Sequence, residues 1–164
     1  MSTPPPAPAN VVVAPFKART EEKGSRVEWH HLWFAARRWK WSSLAIVPSS
    51  PKLSSFGVAQ ELSWVGSYHM PRSVQLFDAR GITREMSGIP MEMLAAAGKE
   101  DRVLVMATDS IFDNEAAIPL LLAADAILLS IVLERSDFRT TRQTLDLLRS
   151  KVIGSVTLPQ NLQV

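Results

Sequence analysis

Polar side chains that could bind a ligand or take part in catalysis collect directly after the apolar runs of this 164-residue chain. Serines and a lysine follow the first run at 48–55, and aspartates follow later runs at 78–81 and 109–113. Segments 134–137 and 159–161 are polar in the same way. If the runs are parallel strands, these segments meet at the carboxyl edge of one sheet, where ligands bind in open α/β folds. The sequence therefore predicts a candidate site of hydroxyls and carboxylates there.

Several other chemistries are disfavoured. No G-x-S-x-G motif surrounds Ser49 and Ser50, and no G-x-G-x-x-G follows a predicted strand, so neither a serine nucleophile nor a dinucleotide site is expected. The chain has no Cys, which excludes thiolate zinc sites and cysteine nucleophiles. His30 and His31 are adjacent and would point about 100° apart on a helix. With His69 remote in sequence, we predict no metal site.

The elements that must position these residues alternate along the chain. Continuous apolar runs indicate strands that are covered on both faces, and helix-length connections indicate parallel pairing. We therefore predict a three-layer α/β/α fold with a mainly parallel sheet of about five strands. The predicted strands are Leu44–Val47, Ser73–Asp78, Arg102–Thr108, Ala126–Leu133 and Val152–Leu158. The predicted helices begin near Val27, Ser54 or Ser55, Pro90, Asp113 or Asn114, and Arg139.

Composition divides the chain into an arm and one domain. Residues 1–26 are rich in Pro, Ser, Thr and charge, and contain too little apolar area to offset the entropy of ordering, so we predict a flexible arm. Residues 27–164 have the length of a single domain. No export signal or membrane span is recognisable, and the absence of Cys fits a cytoplasmic protein.

The order of these segments resembles one protein group. The segments are LAIVPSSPKLSSFGVAQELSWVG, VQLFDARG, RVLVMATDSIFDNEAAIPLLLAADAILLSIVLERS and LDLLRSKVIGSVTL. They are similar to the cytoplasmic domain of bacterial tyrosine autokinases of capsule and exopolysaccharide synthesis, which are MinD/ParA-like P-loop ATPases. The resemblance covers roughly residues 28–158. It implies a P-loop NTPase-like fold with a phosphate loop after the first strand.

The predicted phosphate loop lacks the groups that bind phosphate. A P-loop needs glycines for close approach of backbone N–H groups, a lysine for the β- and γ-phosphates and a Ser/Thr for magnesium. The matching stretch, 49–57, has Gly57 as its one glycine, and its lysine slot falls on Ser55 or Phe56. Lys52 comes too early, and Pro51 lacks an N–H. Because losing one preorganised stabilising group typically costs about 10²–10³ in rate, we predict no useful ATPase or kinase activity.

Two carboxylates match acidic positions of the resembled family. Asp78 matches its first acidic strand end, and Asp109 matches its Walker B aspartate. The resemblance thus implies a vestigial nucleotide site of Ser49, Ser50, Lys52, Ser55, Asp78 and Asp109, with no catalytic residue and no cofactor. The alternative interpretation, which we favour, is that both aspartates are structural and accept backbone N–H bonds in the following turns. The family's tyrosine-rich tail and its Glu-x-x-Arg-x-x-Arg ring motif have no counterpart here.

Aromatic and basic residues are concentrated on the first predicted helix. Four of the five Trp residues lie at 29–41, and segment 17–40 holds seven basic and three acidic residues. A partner-docking helix is one interpretation, and packing of the Trp residues in the core is the other. The candidate docking residues are Trp29, Trp33, Arg37, Arg38, Trp39 and Trp41. A net charge of +2 and the lack of any reading element argue against a nucleic-acid partner.

The function predicted from the sequence is a non-catalytic accessory or regulatory protein of exopolysaccharide synthesis or export. Its partner would be a polysaccharide co-polymerase of the chain-length-determinant type or a synthase complex, which would hold it at the inner membrane. Two alternatives stay open. One is an active MinD/ParA-like ATPase or tyrosine kinase in which Lys52 or Arg80 serves an atypical loop and ATP with magnesium binds. The other is a self-associating scaffold, a homo-oligomer built through the Trp-rich helix.

Overall fold

The computed structural model describes residues 11–12, 26–70, 74–99 and 102–160 of the chain. Within these ranges the strands are β1 (Val11–Val12), β2 (Ser43–Pro48), β3 (Val74–Asp78), β4 (Val103–Ala107), β5 (Ala126–Val132) and β6 (Val152–Leu158). The helices are α1 (Arg26–Arg37), α2 (Phe56–His69), α3 (Gly88–Ala97), α4 (Ala117–Ala123) and α5 (Phe138–Leu148). Helices and strands alternate from α1 to β6, as predicted.

One sheet forms the middle layer, with strand order β1-β3-β4-β2-β5-β6. Strands β2 to β6 pair in parallel, and β1 pairs with β3 in the antiparallel direction. Every residue of β2 and β4 is buried, which is why these strands read as continuous apolar runs rather than as alternating ones. The predicted three-layer α/β/α fold is confirmed.

Alternate residues of each strand support two separate helix layers. Leu44 and Ile46 pack in a cluster with the inward faces of α1 and α2. Ala45 and Val47 pack in a second cluster with residues of α3, α4 and α5. The two-residue side-chain period of the strands therefore divides the core into one layer above the sheet and one below.

The Trp-rich segment 29–41 contributes mainly to this core; Trp29 and Trp33 lie on α1, and Trp39 and Trp41 lie between α1 and β2. Trp33 and Trp41 are 1% and 3% exposed, and their rings meet edge to face with centroids 5.6 Å apart. Trp33 lies against α2 at Gly66, where an added Cβ would be 2.4 Å from a ring carbon. Trp33 and Trp41, two of the predicted docking residues, are thus held inside the fold and present no surface to a partner.

The chain changes side of the sheet at β2. It leaves β2 toward α2, whereas the neighbouring strands β4 and β5 lead to α4 and α5 on the opposite face. Such a switch point opens a crevice beyond the carboxyl end of the strand, and ligands of α/β sheets bind there. The crevice falls at segment 49–55, the predicted phosphate loop.

Part of the predicted arm contributes to the sheet. Val11 and Val12 form β1, with Val11 opposite Phe77 and Val12 opposite Leu76, and Arg26 already belongs to α1. The rest of the predicted arm, 1–10 and 13–25, lies outside the described residues. None of the helices that the structure describes is both long and apolar enough to cross a membrane.

Candidate functional site

The first two serines of the loop after β2 are bonded to the β5–α5 connection. Ser49 Oγ and Ser136 Oγ share a hydrogen bond of 2.8 Å. Ser50 Oγ accepts a hydrogen bond of 2.7 Å from the backbone N–H of Asp137 and forms another, of 2.8 Å, with Thr140 Oγ1. Both serines are buried. Their hydroxyls are therefore engaged in hydrogen bonds with the β5–α5 connection.

Ser55, at the predicted lysine slot, bonds to the end of β4 instead of capping α2. Its hydroxyl donates to the Thr108 carbonyl at 2.7 Å and accepts from the Thr108 N–H at 3.1 Å. Ser54 accepts from the Phe56 N–H at 3.2 Å, so the local capping bond comes from Ser54. Ser55 therefore closes the bottom of the crevice by joining β2's loop to β4.

An aspartate of the chain lies where the loop could have bound an anion. The Lys52 N–H, at a residue with left-handed φ of 59°, donates to Asp113 Oδ2 at 2.7 Å. The Ser49 N–H donates to the Ser130 carbonyl at 2.9 Å, and Pro51 has no N–H. A phosphate oxygen at the Lys52 amide would have to displace a carboxylate and would be repelled by it.

Both family-matched aspartates accept a backbone N–H bond from the turn that follows β3, so the structural interpretation, in which each would bond to its own following turn, fits Asp78 and not Asp109. Asp78 accepts from the Arg80 N–H at 3.1 Å and is held by the Arg80 guanidinium through two bonds, of 2.8 and 2.7 Å. Asp109 accepts from the Gly81 N–H at 2.6 Å. The hydrogen bond with Asp78 raises the pKa of Arg80 above its usual value. Asp78 is thus neutralised by an arginine of its own turn.

Arg80 also covers the mouth of the crevice. Its guanidinium donates to Ser54 Oγ at 3.1 Å and lies 4.5 Å above the centre of the Phe56 ring. A bidentate carboxylate pair with a ring beneath it fixes a guanidinium in one position. Arg80 is therefore committed to Asp78 and is not poised for a transferred phosphate.

The structure brings all six residues of the predicted vestigial site to one edge of the sheet, where Asp78 bonds to its own turn and the other five bond to distant parts of the chain. The partners that the sequence interpretation missed are Ser136, Thr140, Asn114 and Thr108. Their signal in the sequence was weak, because hydroxyl and amide residues after a strand are common turn formers. The arrangement is suited to joining the loops at the switch point, because these side chains are engaged in hydrogen bonds within the chain.

The accessible aromatic surface lies on the ridge formed by α1 and α2. Phe34 is 54% exposed and Tyr68 is 65% exposed. Both contact the His69 ring, with centroid separations of 4.7 and 5.1 Å. We call Phe34 and Tyr68 the α1–α2 ridge; neither was among the docking residues predicted from the sequence. Arg38, which follows α1, is exposed and lines the groove between α1 and β6.

The other predicted docking residues have different surroundings. Arg37 donates to the Trp41 carbonyl and its guanidinium lies 4.8 Å above the Trp41 ring. Trp29 is half-buried and packs against the core. Trp39 is 64% exposed and lines a groove between α1 and β6. Of the aromatic residues predicted to dock, Trp39 is therefore the most accessible.

Neither the protein-family models nor the curated proteins compared with the chain match it.

A pair of histidines joins α1 to α2. His30 Nδ1 lies 2.5 Å from His69 Nε2, although the two residues are 39 positions apart. Burial, followed by the charges of His69 and His31, lowers the pKa of His30 below its ordinary value. Protonation of His30 is disfavoured because its cation would be partly withdrawn from water and would lie close to two other imidazoles.

The folded protein is expected to lose stability as the pH falls from about 7 to about 5. The pKa of His30 is lower in the folded than in the unfolded chain, so the unfolded chain takes up more protons once the pH passes below about 6.5. Denaturant midpoints measured across this range test the expectation, with His30→Asn as the comparison. The variant should show a flatter profile; an identical profile would contradict a role for His30.

Proposed function

We propose that the protein is a non-catalytic relative of the bacterial polysaccharide tyrosine autokinases. It acts as an accessory or regulatory subunit of exopolysaccharide synthesis or export. The observation that carries the proposal is the hydrogen bonding of the loop after β2, where Ser50, Ser55 and the Lys52 amide bond to other parts of the chain. Phosphoryl transfer depends on positioning and on stabilisation of charge, and these contacts occupy the groups that could provide either.

The alternative of an active ATPase receives less support from the same contacts. Arg80 is engaged by Asp78 through two hydrogen bonds, and Lys52 has an exposed side chain and an amide bonded to Asp113. Using either cation for a nucleotide would require breaking these bonds and moving Asp113. The intact α/β body beside an occupied site favours binding over turnover.

We infer that the α1–α2 ridge is the docking surface for the cytoplasmic end of a chain-length-determinant-type membrane protein. Phe34 and Tyr68 provide exposed aromatic area. Aromatic side chains carry a large share of binding energy at protein interfaces. Phe34 lies on α1, the helix that the sequence singled out by its aromatic content, and Tyr68 lies on α2.

The test is a titration of the chain with the cytoplasmic segment of such a membrane protein, with and without ATP and magnesium. We expect the same affinity in both conditions and no hydrolysis. The double variant Phe34→Ala, Tyr68→Ala should bind at least about tenfold more weakly. Phe138→Ala removes an aromatic ring that is 79% exposed elsewhere and is the matched control.

The result that would overturn the non-catalytic assignment is ATP hydrolysis or a partner affinity that depends on ATP. Unchanged binding by the double variant, with hydrolysis still absent, would instead remove the α1–α2 ridge as the docking surface. The two parts of the proposal therefore fail separately.

A further inference from the structure

The sheet has two edges, and the chain covers them differently. At one edge β1 pairs with β3. At the other, β6 pairs with β5 on one side, and no strand of the described residues pairs with its second side. Within the part of the chain that the structure describes, the outer side of β6 thus has no partner strand.

The sequence of β6 lacks the features that keep an edge strand from pairing. Its seven residues, Val-Ile-Gly-Ser-Val-Thr-Leu, include no charge and no proline. Four of them are β-branched, which favours strand pairing. Edge strands of monomeric proteins are usually short, charged or interrupted by proline. β6 therefore has the composition of a paired strand.

The outward backbone groups of β6 can be assigned. The Leu133 N–H donates to the Leu158 carbonyl at 2.9 Å, so Leu158 faces β5. Because the direction alternates along a strand of a parallel pair, Val156 and Gly154 also face β5, and Ser155 and Thr157 face outward. Ser155 is the central residue of the strand.

An apolar groove of about 520 Å³ runs beside this edge, between α1 and β6. Leu32, Ala35 and Trp39 line it on the helix side, and Ile153 and Gly154 line it on the strand side. The open edge and the groove are continuous, so one occupant could cover both.

We propose that the occupant is a second copy of this chain, paired in the antiparallel direction through β6 about a two-fold axis at Ser155. Each Ser155 exchanges its N–H and carbonyl with Ser155 of the other copy, and Gly154 lies opposite Val156 of the other copy, within the part of β6 that is in regular register with β5. The two sheets join into one. A two-fold axis perpendicular to the sheet leaves both α1 helices on the same face, so that each helps to close the other's groove.

Charge at the strand ends supports a second copy as the occupant. Lys151 immediately precedes β6. Glu134 lies near the opposite end of the strand, because it follows Leu133, whose N–H bonds to Leu158, the last residue of β6. Antiparallel pairing brings the Lys151 end of each copy beside the Glu134 end of the other, twice. No like charges face each other along the strand, because β6 has none. This inference does not depend on the proposed function.

The test uses two variants of opposite charge, Ser155→Lys and Ser155→Glu, with the mass measured by light scattering after size-exclusion chromatography. We expect the unchanged chain to have twice its 18.2 kDa mass. Each variant alone places two like charges opposite each other at the axis and should be monomeric, whereas an equal mixture should dimerise again. Gln143→Lys and Gln143→Glu, at an exposed position of α5, should stay dimeric.

A monomeric unchanged chain would overturn the proposal, and so would a dimer that both Ser155 variants leave intact. Failure of the mixture to recover the dimer, with both variants folded by circular dichroism, would also overturn it. Thr157→Lys is the second variant should Ser155→Lys fail to fold. If the unchanged chain is monomeric and Ser155→Lys loses binding to the membrane partner's cytoplasmic segment, that segment rather than a second copy pairs with β6.

Discussion

A lysine at position 55 is expected to unfold the protein rather than to restore nucleotide binding. Ser55 is completely buried, and its hydroxyl bonds both the carbonyl and the N–H of Thr108. Losing these bonds costs about 1–3 kcal/mol, and burying an unpaired ammonium costs several more. Total stabilities are only about 5–15 kcal/mol. The expected result for Ser55→Lys is a protein that is largely unfolded and binds no ATP.

The matched control for this substitution is Ser54→Lys. Ser54 is exposed, and its contacts are with Arg80 and the Phe56 N–H, so we expect a cost of about 1 kcal/mol or less. Thermal melting and titration with magnesium and ATP give both readouts for each variant. A folded Ser55→Lys protein that binds ATP would contradict the proposal, because it would mean that a single lysine restores nucleotide binding to the loop after β2.

Trp33→Ala is expected to destabilise the fold by about 3–5 kcal/mol, the usual cost of deleting a buried aromatic ring. The Trp33 ring is 1% exposed and packs on Trp41 and on the bare backbone at Gly66. Urea unfolding monitored by circular dichroism measures the loss. Phe138→Ala, which truncates an exposed ring, should change stability by no more than about 0.5 kcal/mol. A small effect at Trp33 would favour the docking interpretation of this residue over the core interpretation.

Substitution of Gly66 tests the contact between the Trp33 ring and α2 from the α2 side. A methyl group at Gly66 would lie 2.4 Å from the Trp33 ring, so Gly66→Ala should destabilise the protein by about 1–3 kcal/mol through overpacking. In the Trp33→Ala background the ring is gone, and alanine should then be neutral or stabilising because it is the better helix former. Equal effects in both backgrounds would show that the two residues are not coupled.

The strand pattern could be predicted because its cause is local. Continuous apolar runs such as β4 and β5 are required wherever a sheet is covered on both sides, and helix-length intervals between them leave little choice but parallel pairing. β1 was not predicted, since two valines in a polar segment carry no periodic signal. Their pairing with β3 depends on an edge that exists only in the assembled sheet.

The candidate site could be predicted by position but not by contact. The carboxyl ends of parallel strands meet at one edge, so Ser50, Asp78 and Asp109 were expected to be neighbours. Which groups would bond there depended on residues far along the chain. Lys52 and Asp113 are 61 positions apart, and Ser49 and Ser136 are 87 positions apart.

By itself, the sequence determined the fold class, the edge of the sheet where the candidate residues collect, and the lack of a lysine and glycines for phosphate. Residue types and spacing suffice for these, because burial on two faces and binding of a triphosphate each require particular side chains. The tertiary structure decided which aromatic rings enter the core and which stay accessible, and it paired His30 with His69. Among the described residues it also left one side of β6 without a partner strand. These features depend on the direction in which each element faces its neighbours, and that direction is set only when the layers pack together.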